Sequence, residues 1–235
     1  MSNESLEAFG QRLGLNFQDK NLFQQVFVHR SYLNEHRSFY LPHNERLEFL
    51  GDAVLELVVT EYLYRTYNKP EGELTNWRSA LVRGEMLAEI ATELTMEPHL
   101  LLSRGEQKST GKARKLILAN AFEALIGALY LDQDFTACRE FITKHLISKL
   151  DDVLTRKIYI DAKSSLQEQT QERLNLTPTY QVLSSIGPDH DKKFIVGVYF
   201  GEREIARGEG GSKQRAEQAA AAAALDRGEE IFSRP

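Results

Sequence analysis

The stretch HNERLEFLGDAVLE, residues 43–56, decides how the first half of the chain is read. It carries the acidic side chains Glu45, Glu48, Asp52 and Glu56 in a run whose other residues suit a packed helix. At about 100° per residue, positions 45, 48 and 52 share one helical face, and Leu47, Leu50, Val54 and Leu57 are predicted to form an apolar face beside it. Like charges three and four residues apart repel, so the acidic face is either solvated or balanced by cations. Carboxylate oxygens with no Cys or His at matching spacing suit a hard divalent ion, Mg²⁺ or Mn²⁺, rather than Zn²⁺.

Outward from this stretch the apolar spacing stays helical from about Ser5 to Leu150. The strongest segments are 20–34, 44–67, 74–95, 115–131 and 134–150, with Asp19 and Asn44 as expected N-caps. SRGEQKSTGKARK, residues 103–115, is polar and basic and reads as a mobile connection. After a hinge the pattern changes. Residues 162–174 are helical, then TYQVLSSI, KKFIVGVYFG and REIARGEG read as strands, and an alanine-rich helix follows from Ser212. The fold class is therefore multidomain, α and α+β: an all-α domain over 1–154, a linker at 155–161, and a small α-β-β-β-α domain over 162–230.

A second acidic helix answers the first. In LILANAFEALIGALYLD, residues 116–132, Asn120 and Glu123 stand three apart on a helix that otherwise leaves almost no face for solvent. A glutamate there is costly unless it is paired or metal-bound. Glu48, Asp52, Asn120 and Glu123 are thus the expected ligands of a site between two helices, with Glu71 of PEGELT in a turn nearby. A di-iron or di-manganese bundle would need Glu-x-x-His pairs, and none of the six histidines lies three residues after a glutamate.

The C-terminal half suggests the substrate. Two glycines and Ser212 precede a helix with Lys213, Gln214 and Arg215 in its first turn, a terminus suited to phosphate. Ser164, Gln167, Glu168 and Gln171 line one face of the helix at 162–174, suited to ribose hydroxyls and base edges, and His190 of GPDHDKK is a further probe. Duplex RNA is read this way, by minor-groove contacts and the phosphates between them. The net charge of −5 argues against a general nucleic-acid binder, so any such site is local. No apolar run approaches a membrane span and the N-terminal residues do not resemble a signal peptide, so a cytoplasmic protein without a membrane partner is expected. The single cysteine, Cys138, reads as a core or near-surface thiol rather than a catalytic one.

HNERLEFLGDAVLE, EGELT, NAFEALIGALYLD and GEGGSKQRAEQAAA together resemble bacterial ribonuclease III over essentially the whole chain. The resemblance implies a homodimeric, Mg²⁺-dependent endonuclease for double-stranded RNA, with no organic cofactor, leaving 5′-phosphates, 3′-hydroxyls and short 3′ overhangs. It implies Glu48, Asp52, Asn120 and Glu123 as metal ligands, and Glu45 and Glu71 as cleft residues. It further implies Phe49 as a knob inserted into the partner, and Gln167, Glu168, Gln171, His190, Lys213 and Gln214 as RNA contacts. VHRSYLNE, residues 28–35, also fits the family and is read here as structural. Two departures stand out: Asn120 where the family usually has Asp, and Gln214 where it often has Lys. The neutral Asn120 leaves open a different class of protein, a non-cleaving double-stranded-RNA-binding scaffold.

Overall fold

The computed structural model describes residues 4–155, 162–188 and 192–233, and the chain divides near residue 160 into two compact units. Apart from Thr155, the expected linker lies outside the described residues, as does His190.

The first unit is all helical: α1 (Leu6–Leu13), α2 (Lys20–Gln25), α3 (Arg30–Glu35), α4 (Glu45–Thr66), α5 (Glu71–Val82), α6 (Gly84–Glu93), α7 (Gly111–Asp132), α8 (Phe135–His145) and α9 (Leu150–Thr155). Its centre is the crossing of α4 and α7. Both helices have glycine at the crossing. A Cβ added to Gly51 would lie 1.8 Å from the Glu123 carbonyl oxygen, and one added to Gly127 would lie 2.1 Å from that of Leu47. Only hydrogen at these positions lets the two backbones touch. Leu47, Val54, Leu55, Val58, Val59 and Leu63 of α4 pack into the same core as Leu118, Phe122, Leu125, Ile126 and Leu129 of α7.

Several boundaries differ from the sequence reading, each for a local reason. The expected 20–34 helix breaks because Val28 bridges Leu101: His29 N donates to Leu101 O at 3.1 Å and Leu101 N to Phe27 O at 2.8 Å. The expected 74–95 helix divides at Arg83, whose ψ of 144° is extended. The segment 134–150 ends its α-helix at His145 and continues through a 3₁₀ turn, Ile147–Lys149. Residues 103–115 are not a free connection. They contain a 3₁₀ turn, Glu106–Lys108, and the start of α7, braced by Arg114, which donates to the Gln107 carbonyl at 2.8 Å and the Glu106 carbonyl at 3.1 Å. Asp19 caps α2 as expected, but the Asn44 side chain does not cap α4. It is buried and donates to Val26 O at 2.9 Å, tying the start of α4 to the bridge. Leu57 is not on the core face: it is 58 % exposed, because the helix turns it to the side of Phe49 instead.

The second unit comprises α10 (Ala162–Leu174), β1 (Thr179–Ile186), β2 (Lys193–Phe200), β3 (Arg203–Gly210) and α11 (Lys213–Asp226). The strands form an antiparallel sheet in the order β1-β2-β3, with a register shift in β1 between Val182 and Ser184. Val198, Phe200 and Ile205 meet Ala162 and Leu166 of α10 and Ala220, Ala221 and Ala224 of α11 in one core. The helix lies close because β3 offers no side chain at Gly208, where a Cβ would stand 2.0 Å from Ala220 N. The described residues continue past 230 to Ser233, with Ile231 buried.

Candidate active site and RNA-binding surfaces

The glycine crossing fixes which polar groups meet. Glu48 and Asp52 flank Gly51 within one turn, and the Glu123 carbonyl is the atom against which Gly51 rests. Glu123 is buried enough, and near enough to the charges of Asp52 and Glu48, that its carboxyl pKa is pushed up to about 7; burial is the largest cause. Burial likewise raises Glu48, with Glu45 and Asp52 adding to the effect and a hydrogen bond from Asn120 opposing it. The sequence-predicted set Glu48, Asp52, Asn120 and Glu123 is therefore brought together. Among the described residues, no cation of the chain lies within ion-pair distance of Glu48, Asp52 or Glu123. No three His, Cys, Asp or Glu side chains among those residues are drawn close enough to hold an ion as they stand. The chemistry of the set, three carboxylates and an amide oxygen without sulfur or imidazole, fits a hard divalent cation.

Glu45 and Glu71 are placed differently. Glu45 is exposed in the first turn of α4, with Arg30 Nη1 at 3.5 Å and His43 Nδ1 at 3.7 Å from its carboxylate oxygens. Those two partners were not singled out from sequence, and neither has a spacing that would reveal it. Glu71 opens α5 rather than sitting in a turn before it, and lines a pocket of about 680 Å³ with Tyr64, Tyr67 and Arg78 at the far end of α4. From Asp52 to Tyr64 a helix rises about 18 Å. Glu71 thus lies away from the inner carboxylates of its own chain.

The VHRSYLNE segment holds the loop that leads to α7. His29 caps α3 through Ser31 N, Ser31 Oγ accepts from Ser103 N at 3.1 Å, and Glu35 accepts from Arg104 N at 3.1 Å. Cys138 is a buried thiol with its pKa pushed up to about 12 by burial, as a core residue should be.

An apolar stripe runs along the outer side of α4. Phe49 is 82 % exposed and Tyr64 78 %, with the 58 %-exposed Leu57 between them. Positions 49, 57 and 64 fall within about 80° of one another on the helix. Sequence reading found only Phe49; the period linking it to Leu57 and Tyr64 was the available signal.

In the second unit Ser164, Gln167, Glu168 and Gln171 are exposed on α10, and Lys213, Gln214 and Arg215 are exposed in the first turn of α11. Ser212 caps that helix, its Oγ accepting from Arg215 N at 3.3 Å. Gln171 donates to Asn175 Oδ1 at 2.7 Å, which steadies the end of the α10 face.

Comparison with known proteins agrees with both units. Residues 19–150 match the family described as Ribonuclease-III-like, and residues 162–227 match the double-stranded RNA binding motif. Ribonuclease 3 of Streptococcus pneumoniae (strain Hungary19A-6) is 46 % identical over 215 residues, 91 % of this chain and 92 % of that one. Ribonuclease 3 of Enterococcus faecalis (strain ATCC 700802 / V583) is 43 % identical over 226 residues, 96 % and 98 % of the two chains. A crystal structure of the nuclease domain of ribonuclease III from Campylobacter jejuni superposes with a TM-score of 0.55 at 37 % identity, covering 63 % of this chain and 97 % of that one. A second structure of that domain, described for flexibility in a region involved in dimer formation, gives 0.54 at 38 % identity over 60 % and 98 %. Facing carboxylate helices in one unit and a duplex-RNA motif in the other are thus the two parts of one enzyme, and the chain belongs to the ribonuclease III family, the double-stranded-RNA endoribonucleases.

Proposed function

We propose that the enzyme uses Mg²⁺, with Mn²⁺ as a substitute, held by Glu48, Asp52, Asn120 and Glu123, and cuts duplex RNA to leave 5′-phosphate and 3′-hydroxyl ends with short 3′ overhangs. The observation that carries this reading is the set of carboxylates gathered across the Gly51–Gly127 crossing without a cation of the chain to neutralise them. A divalent ion bound there supplies Lewis-acid charge and a water of lowered pKa. The chain's own part is to orient. The glycine contact fixes α7 against α4, the Asn120 amide steadies Glu48, and Arg30 and His43 hold Glu45 at the rim. The duplex is bound by Ser164, Gln167, Glu168 and Gln171 of α10 and by Lys213, Gln214 and Arg215 of α11, with His190 as a further contact. A non-cleaving scaffold is not favoured, since it would have no use for a half-buried, uncompensated Glu123.

The test is a cleavage assay on a perfect RNA duplex and a DNA duplex of matching sequence, with and without Mg²⁺. Cleavage of the RNA alone, only with metal, is expected, because minor-groove hydroxyls distinguish the duplexes. Intact RNA at every metal concentration would leave the scaffold as the function.

The same reading takes the enzyme as a homodimer through the α4 stripe. An isologous pairing about an axis near Leu57 sets the Phe49 end of one helix beside the Tyr64 end of its partner. On that pairing Glu71 of each chain would approach the inner carboxylates of the other rather than those of its own chain. Phe49→Glu is expected to give a monomer in sedimentation, with duplex cleavage reduced at least about a hundredfold. An active dimer of that variant would remove both Phe49 and the pairing.

A further inference from the structure

Past α11 the chain makes a 3₁₀ turn, Gly228–Phe232, beyond the stretch that matches the RNA-binding motif, which ends at residue 227. This turn is built into the domain. Ile231 is 1 % exposed within the core that holds Leu166, Phe200 and Ile205. The Phe232 ring stacks on Phe200 with centroids 6.1 Å apart, and the Arg173 guanidinium lies 4.6 Å from the Phe232 centroid while also pairing with Glu229. Arg203 Nη1 donates to the Ser233 carbonyl at 2.9 Å, and the Arg227 side chain donates to the Ile205 carbonyl.

These contacts matter because of where α10 is held. Its first turn is fastened to α11 and the sheet: Lys163 N donates to Gln218 Oε1 at 3.3 Å, the ammonium meets Glu217 at 2.7 Å, and it lies 4.8 Å from the Tyr180 ring centroid. The middle is held by the buried Leu166 and Thr170. The last turn, with Gln171 on the exposed face, has Leu174 and the Arg173 grip on Phe232 and Glu229. A helix end without tertiary contacts frays. Exposed ion pairs add little, so the grip resides in the burial of Ile231 and the Phe200–Phe232–Arg173 stack.

We infer that residues 228–233 are a strap that fixes the last turn of α10, and that Phe232 and Arg173 are positioning residues for duplex-RNA binding. The inference rests on α10 being an RNA-contact helix. It makes the affinity of the enzyme depend on side chains that touch no RNA.

The experiment compares the full chain, Phe232→Ala, Phe232→Tyr and a chain ending at Arg227. Duplex-RNA affinity is measured without divalent metal across a salt series, amide exchange in α10 and α11 is followed, and kcat is measured at saturating RNA. Phe232→Ala and the shortened chain are expected to bind about tenfold more weakly, with Phe232→Tyr close to the unaltered protein. The salt slope stays the same, exchange quickens at 171–174 and at the last turn of α11, where Ala224 shares the Ile231 core, while the rest of α11 stays protected, and kcat holds, since the proposed metal ligands all precede residue 155. Unchanged affinity would show an idle strap. A lowered salt slope would mean that the strap touches phosphates itself, and quickened exchange throughout α11 would reduce it to general stability; either overturns the positioning role. Gln167→Ala with Gln171→Ala tests the underlying reading separately: no loss of affinity there would remove α10 from the RNA interface, whatever the strap does.

Discussion

Gly51→Ala is expected to slow duplex cleavage about a hundredfold and to lower the melting temperature of the nuclease unit by roughly 10 °C. The added Cβ would stand 1.8 Å from the Glu123 carbonyl oxygen and 2.8 Å from Gly127 N, both backbone atoms that no rotamer change can move aside. The helices must part, and overpacking of a rigid contact costs about 3 kcal/mol or more. Parting them also separates Glu48 and Asp52 from Glu123, and a displacement of about 1 Å at a reacting centre removes on the order of a hundredfold in rate. Gly72→Ala is the matched control. A Cβ there meets nothing within 4 Å, and Gly72 lies in the first turn of α5, so the same change is expected to raise stability by about 0.5 kcal/mol. Calorimetry of the two variants decides the matter. A Gly51→Ala protein that melts with the unaltered chain would mean that the α4–α7 contact is not the rigid junction described.

Glu123→Gln is expected to reduce cleavage more than about a hundredfold while making the metal-free protein more stable above neutral pH. The two effects have one origin. Burial and the charges of Asp52 and Glu48 push the Glu123 carboxyl up to about 7, so the folded state binds its proton more tightly than the unfolded chain does. That group favours folding below the ordinary carboxylate range, and the benefit is lost as pH rises toward 7. Above that pH its charge is a net cost, which glutamine removes. With part of the carboxyl still accessible to solvent, the gain is about 1 kcal/mol. Melting curves at pH 3.5, pH 5 and pH 8 without metal should therefore show a gap between the variant and the unaltered chain that is absent at the first, small at the second and full at the third. Equal melting at all three would mean that Glu123 is not under strain from its neighbours.

Asn120→Asp runs in the opposite sense. A fourth carboxylate adds repulsion and removes the amide donor that steadies Glu48, so the metal-free protein loses stability. The same charge strengthens attraction for a dication, so half-maximal cleavage is expected at a lower Mg²⁺ concentration, and Mn²⁺ should partly rescue the Asn form. A side-by-side metal titration on one RNA duplex measures this. An Asp form that needs as much Mg²⁺ as the Asn form would take position 120 out of the ligand set.

The helical periods of 43–56 and 116–132 were enough to put Glu48 beside Asp52 and Asn120 beside Glu123, each pair on a polar stripe of its own helix, and the cost of a lone glutamate on the second helix suggested that the two stripes meet. The strands of the second unit were legible for a similar reason: alternation from Phe194 to Phe200 has no helical equivalent. Periodicity did not reveal the long-range contacts. The break at Val26–His29 is imposed by a bridge to Leu101, and Asn44 abandons capping because Val26 offers its carbonyl to a buried amide. Leu57 fits an apolar stripe toward the core or toward solvent equally well, and only packing against α7 selects which side is inside. Glu71 follows α4 by a short turn, and what a linear motif hides is the length of the helix between it and Asp52.

The meeting of Gly51 with Gly127 joins positions some 75 residues apart, with α5 and α6 made in between. During synthesis at about 5–20 residues per second, α7 therefore emerges roughly 4–15 s after the acidic turn of α4. For that interval Glu48 and Asp52 are ordinary carboxylates on an unpartnered segment, since the groups they face do not yet exist. The proposed centre cannot be complete until more than half of the chain has been translated. A nascent chain still short of α7 thus lacks Asn120 and Glu123, half of the proposed ligand set.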